Sequence, residues 1–212
     1  MNNKLQQAII FDLDGTLVDT AIITMEAFRS VAQEMDLEVP SIALLRRAIG
    51  YANPEFYDRI YPELPIDVRR LAGQRIEQEE KRLMTHTDTE LLFPDCLRLL
   101  QILQQREILL YVASTGSEEH VYAIMEKAGI CSFFNEVYYG APDKTEAIRT
   151  IIGDSAKAGF LMVGDMEKDY RAAHSNEIAA VGACYGYCVR EVSDFDYYIK
   201  KPLELLEIEL LK

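Results

Sequence analysis

Two aspartates stand two residues apart in Phe11-Asp12-Leu13-Asp14-Gly15-Thr16, directly after an apolar run. Side chains alternate along an extended chain, so both carboxylates are expected to face one opening, with Leu13 turned away. A third acid, Asp165, follows Gly164, and Asp169 comes four residues later. Ser114-Thr115-Gly116 supplies hydroxyls and Lys144 an ammonium. Acids such as Asp12, Asp14 and Asp165, if gathered closely, repel one another unless a cation lies among them. Oxygen-only ligands select a hard ion, and Mg²⁺ is the expected cofactor, held by one or two carboxylates and by a substrate phosphate. Beside such an ion, an anionic carboxylate can approach phosphorus and act as a nucleophile. A second carboxylate can pass a proton to the leaving group and later take one from water. Ser114, the N–H groups around it and Lys144 suit the phosphoryl oxygens. The chemistry these residues suggest is phosphoryl transfer.

Such scattered groups work together only if the fold gathers them. Ala8-Ile9-Ile10-Phe11, the runs at 108–113 and 160–163, the run at 178–181 and a shorter one at 137–139 are continuously apolar, as strands buried on both faces of a parallel sheet are. Helical stripes lie between them. Leu97, Leu100 and Leu103 form one, Val121, Ile124, Met125 and Ala128 a second, and Ala147, Ile148, Ile151 and Ile152 a third, with Gly129 and Gly153 placed to end the last two. Alternating strands and helices predict an α/β, doubly wound, mostly parallel sheet. In open sheets of this kind ligands bind beyond the carboxyl ends of the strands, where Asp12, Ser114 and Asp165 fall.

Residues 18–87 break the alternation. A strand-to-helix connection is usually about two to six residues, whereas this stretch is long and reads as helix. One stripe contains Ile23, Ala27, Phe28, Val31 and Met35, a second contains Leu45, Ala48 and Ile49, and a more polar helix spans 66–84, with a turn at Gly50-Tyr51-Ala52-Asn53-Pro54. A helical cap of 18–87, inserted after the first strand of a core made of 1–17 and 88–212, is the expected organisation. Pro202 to Ile208 reads as a closing amphipathic helix.

Asp12-Leu13-Asp14-Gly15-Thr16, Ser114, Lys144 and Gly164-Asp165-x-x-x-Asp169 resemble, in order and spacing, the four signature motifs of the haloacid dehalogenase-like hydrolase superfamily. The helical insertion resembles the small cap of its phosphoglycolate phosphatase-like branch, as does the stretch from Gly164 through Tyr185-Gly186-Tyr187 to Lys201-Pro202-Leu203. The resemblance implies a Rossmann-like core and an Mg²⁺-dependent phosphatase. Asp12 would be nucleophile and metal ligand. Asp14 would be the acid/base and lend its backbone carbonyl to the metal. Asp165 would be a further ligand, and Asp169 would act on the metal through water or from behind the direct ligands. Ser114 and Lys144 would bind the phosphoryl group, with Thr16 and Thr115 also at the substrate. The family often has Asn where this chain has Thr115, and Ser114, nearer the strand, is the preferred phosphate contact.

The implied substrate is a small phosphorylated metabolite. Phosphoglycolate is one candidate; nucleoside monophosphates, pyrophosphate and sugar phosphates are others. A phosphomutase of the superfamily would carry an early cap histidine, which Ala21–Glu26 lacks. A phosphonate-cleaving relative would need a cap lysine, and Leu17–Glu80 contains none. A dehalogenase would not need Asp14, and a receiver domain would carry its acids on different strands. The net charge of −13 argues against nucleic acid and anionic membrane surfaces. The polar start Met1–Gln7, the absence of a membrane-length apolar run, and four cysteines without a C-x-x-C pair point to the cytoplasm. Cys184 and Cys188 are expected to be small, at least half-buried thiols. His86, His120 and His174 lie outside the motifs and are expected on the surface or on helix flanks. Arg46 and Arg47, before the Gly50 turn, are weaker candidates for a substrate carboxylate or second phosphate.

Overall fold

The computed structural model describes residues 7–86, 90–187 and 194–211. Met1, Lys4 and Cys188 lie outside this range, as do the expected cap boundary at 87–88 and part of the predicted stretch between Tyr187 and Lys201. Six strands form one sheet: β1 (Ala8–Phe11), β2 (Leu109–Ala113), β3 (Glu136–Tyr138), β4 (Phe160–Gly164), β5 (Ala179–Ala183) and β6 (Tyr197–Ile199). Their spatial order is β3-β2-β1-β4-β5-β6, and every pairing is parallel. β1 therefore lies between β2 and β4 at the point where the strand order reverses, the place at which doubly wound sheets bind ligands.

The four residues of β1 are all buried because both faces of the sheet are covered. Ile9 and Phe11 face one apolar layer with Leu110, Val112, Leu161 and Val163. That layer is closed by α5 (Cys96–Gln105), α6 (Glu118–Lys127) and the C-terminal segment. Ala8, Ile10, Ala113 and Met162 face the opposite layer, closed by α7 (Thr145–Ile152) and α8 (Glu167–Ser175). Burial on this scale contributes roughly 1.5–3 kcal/mol per large apolar side chain.

Four helices lie between β1 and α5: α1 (Ala21–Met35), α2 (Ile42–Ala48), α3 (Glu55–Ile60) and α4 (Ile66–His86). Their inward stripes form a separate apolar cluster around Phe28, Val31, Leu45, Tyr57 and Ile76. α3 was not expected, since a helix of six residues directly after Pro54 carries too little periodicity to separate from the turn. The run 202–208 is not the expected amphipathic α-helix; 202–207 form a 3-10 turn beginning at Pro202. Among the described residues no helix is long and apolar enough to cross a membrane. Among the described residues Cys96 and Cys131 are in no disulfide, and Cys184 is half-buried.

Candidate active site

β1 ends at Phe11, and Asp12 is still held in the sheet because its N–H donates to the Val163 carbonyl of β4 at 2.8 Å. The chain then turns sharply. The Leu13 carbonyl accepts from the N–H groups of Thr16, Leu17 and Val18, and Gly15 adopts φ +83°. Glycine is required there twice over, since a Cβ at Gly15 would also stand 2.6 Å from an oxygen of Asp165. The Asp12 carboxylate points into the interior, whereas the Asp14 carboxylate accepts from the Thr20 hydroxyl at 2.7 Å and meets His120 Nε2 at 3.3 Å on both oxygens.

β4 delivers Asp165 at its carboxyl end, and the first turn of α8 delivers Asp169. Carboxylate oxygens of Asp12, Asp165 and Asp169 lie within 4.8 Å of one another, and all three residues are buried. Lys144, at the start of α7, places its ammonium 2.5 Å from both Asp12 and Asp169. The second oxygen of Asp169 accepts the Met166 N–H at 3.0 Å, so this residue is fixed from two sides. Asp165 accepts the Tyr187 N–H at 2.7 Å on Oδ2, while its buried Oδ1 has no hydrogen-bond partner among the described residues.

Burial raises the Asp12 carboxyl to about 7 against the pull of Lys144, and the charge of Asp169 adds to the rise. Burial and the neighbouring charges of Asp12 and Asp169 likewise push Asp165 well up. Burial works against the charge of Lys144, but Asp12 and Asp169 outweigh it and raise that ammonium above its ordinary value. Asp14 differs: burial opposes its ionisation, yet His120 and Thr20 hold it below the usual carboxylate value. In return, and against burial, Asp14, Glu80 and Glu77 raise His120 to about 9.

Three buried carboxylates against one ammonium leave uncompensated negative charge, and an orphaned oxygen on Asp165 sits among them. Burial of this kind is costly without a partner. The donor set is all oxygen and fits a hard divalent cation such as Mg²⁺.

The remaining candidates separate into two groups. Ser114, after β2, shares a small cavity with Lys144, Ala113 and Tyr138; its hydroxyl accepts the Gly116 N–H at 3.1 Å. Thr115 faces the helical insertion and donates to the Gly50 carbonyl at 2.9 Å. The Thr16 hydroxyl is fully buried and has no partner among the described residues. Arg46 pairs with Asp19 at 3.1 Å and lies over the Tyr187 ring. His174 pairs with Asp196 at 2.9 Å, away from the acids. His120, expected apart from the motifs, is in contact with Asp14 and its side chain is only 29% exposed. Its position could have been suspected from Ser117, which caps α6 and accepts the His120 N–H, since a helix opening just beyond a strand end brings its first turn to the site.

A cleft of about 500 Å³ opens between the sheet ends and the helical insertion, with Asp14, Thr115 and His120 on one wall and Tyr51, Phe56 and Glu80 on the other. A deep crevice at the carboxyl edge of a parallel sheet, near a buried cluster of acids and a lysine, is the site of an α/β enzyme. The family model for haloacid dehalogenase-like hydrolases matches residues 9–183, and the chain belongs to that family. It is similar to a phosphoglycolate phosphatase of Synechococcus elongatus, 26% identical over 95% of this chain and 96% of the relative. A phosphoglycolate phosphatase of Agrobacterium fabrum is 28% identical over 88% of this chain and 84% of its own length. The fold is shared with the crystal structure of a predicted phosphoglycolate phosphatase of Haemophilus somnus, with a TM-score of 0.85, 24% identity, and coverage of 95% and 97%.

Proposed function

We propose that this enzyme is a phosphatase that hydrolyses a small phosphate monoester through the carboxylate of Asp12. The observation that carries the reading is the convergence of Asp12, Asp165 and Asp169 with Lys144 where β1 and β4 end side by side. Its relatives named as phosphatases support the reaction class. Residues 18–87 act as a cap over the core of 1–17 and 88–212.

A divalent cation, Mg²⁺ by the hardness of the donors, would be held by Asp12 and Asp165, with Asp169 close behind and Asp14 contributing only its backbone carbonyl. When bound, it neutralises phosphate charge so that an anionic nucleophile can approach. Lys144, beside Asp12, fixes and neutralises phosphoryl oxygens, and Ser114 donates its hydroxyl to them from the same cavity.

An oxygen of Asp12 attacks phosphorus, the P–O bond to the alcohol breaks, and the departing oxygen takes a proton through Asp14, drawn from the His120 imidazolium and replaced by the attacking water in the next step. Water then attacks the phosphorus of the aspartyl-phosphate and gives a proton to Asp14, and the acyl-phosphate P–O bond breaks. Asp12 is regenerated and inorganic phosphate released, so ester and water yield alcohol and phosphate. Thr20 and His120 orient Asp14 for both transfers. Thr115 lines the cleft, whereas Thr16 is fully buried and lines neither cavity, so its expected substrate role is not kept.

The test is Asp12→Asn, assayed with p-nitrophenyl phosphate and Mg²⁺. Turnover should fall by roughly 10³-fold or more with the melting curve retained. Near-normal turnover would sink the nucleophile assignment. Phosphoglycolate belongs in the same panel as nucleoside monophosphates, pyrophosphate and sugar phosphates, because the cleft rather than the acid cluster chooses the alcohol.

A further inference from the structure

Asp14 protonates the departing oxygen, so the alcohol portion of the ester leaves on the Asp14 side of the site. That side is the cleft of about 500 Å³ under the helical insertion. Its chemistry is therefore the chemistry that meets the alcohol.

The cleft is acidic. Besides Asp14 it carries Glu77 and Glu80 from α4 and Glu119 from α6, against Lys81 and His120. Lys81 is spent on Glu119 at 2.6 Å, and His120 on Asp14. Glu80 is held by a neutral donor, the Thr24 hydroxyl at 2.7 Å, and Glu77 by the Asn53 amide at 2.6 Å. These bonds fix both positions; burial raises both carboxyls above their ordinary value, against the pull of Lys81 and His120 on Glu77 and of His120 on Glu80, and a cation placed beside them favours the charged form. Two further cations nearby, Lys168 and Arg46, do not line the cleft. Lys168 donates to the Gly50 carbonyl, and Arg46 is bridged to Asp19.

The wall that carries Glu80 is also aromatic, with Tyr51, Phe56 and Tyr57. Tyr51 already stacks with cations from outside, its ring lying 3.7 Å from the Arg59 guanidinium carbon and 4.5 Å from Lys168 Nζ. Fixed carboxylates beside aromatic rings attract an alkylammonium, and they repel a carboxylate that brings no cation of its own.

We infer that the cleft selects phosphate monoesters whose alcohol portion carries an ammonium group, aminoalkyl phosphates, over those whose alcohol portion carries a carboxylate. The inference rests on the phosphatase reading above and narrows it. Glu77 and Glu80 are the specificity-determining residues, and phosphoglycolate is disfavoured by the same charges.

Three two-carbon esters test this, each with the intact chain and Mg²⁺: O-phosphoethanolamine (ammonium), 2-hydroxyethyl phosphate (neutral) and phosphoglycolate (carboxylate). The reading is kcat/KM for phosphate release. O-phosphoethanolamine should lead and phosphoglycolate trail, by about tenfold or more between them. In the double variant Glu77→Gln, Glu80→Gln the ratio should fall toward one, through KM for the ammonium ester. Glutamine keeps an acceptor for Asn53 and Thr24, so the melting curve should stay in place.

A wild-type ratio of one or less overturns the inference, as does a ratio that the double variant leaves unchanged, or a failure to hydrolyse O-phosphoethanolamine. If p-nitrophenyl phosphate is turned over while phosphoglycolate leads, only this inference falls. If neither p-nitrophenyl phosphate nor any of the three esters is hydrolysed, the phosphatase reading falls and takes the inference with it.

Discussion

Lys144 touches two carboxylates at once, and its own removal is the sharpest probe of the buried cluster. Lys144→Ala should destabilise the protein by about 3–5 kcal/mol, the usual effect of stripping one partner from a buried ion pair, and urea unfolding would measure it. Added Mg²⁺ should narrow the gap to wild type. Asp165, with one oxygen lacking a donor among the described residues, should be where an ion gains most. At an Mg²⁺ concentration about 100 times the dissociation constant, the wild type should gain about 2.7 kcal/mol, whereas Asp165→Asn should gain little; denaturation with and without the ion decides it. A third residue sets an acid limit. Asp196 is raised by partial burial, but the Ala180 N–H at 2.8 Å and His174 draw its carboxyl below its ordinary value of 3.8. A lowered folded pKa adds stability above the unfolded value and loses it as pH falls through the folded one. Asp196→Asn should therefore cost stability near neutrality and flatten the decline below about pH 4 in pH-resolved melting. At this scale the motif acids and Lys144 were legible as residue types at strand ends. The partners of the Asp14 carboxylate, Thr20 and His120, were not, because one lies beyond the turn and the other follows a different strand.

Elements carry these groups to one place, and their ends matter more than their middles. Ser117 caps α6 through the His120 N–H, so the cap also seats the imidazole beside Asp14. Ser117→Ala should cost about 1 kcal/mol in unfolding free energy and loosen that contact, seen as a shifted imidazole resonance in NMR. The strands were readable because a sheet covered on both faces needs unbroken apolar runs, and β1, β2 and β4 have them. β6 was not: Tyr197 and Tyr198 are exposed and only Ile199 is buried, so an edge strand of three residues leaves no pattern to count. The C-terminal run has helical apolar spacing, but its residues from Pro202 to Glu207 close as 3-10 turns against α5.

For the molecule as a whole, the pairing order predicts where the fold opens last. β1 and β4 have neighbours on both sides, while β3 and β6 are edges. Amide exchange followed by mass spectrometry should find residues 9–11 and 161–163 the slowest and 136–138 and 197–199 markedly faster. Equal exchange across all six strands would contradict the arrangement. The same order also has a consequence in time. The cluster among α1–α4 is built from residues that precede α5 in the chain, whereas β1 gains its second neighbour only when β4 has emerged, with Asp165 and Asp169 behind it. On the ribosome, then, α1–α4 have the residues of an interior of their own long before the sheet is finished, and Asp12 waits for Asp165 and Asp169 to emerge beside it.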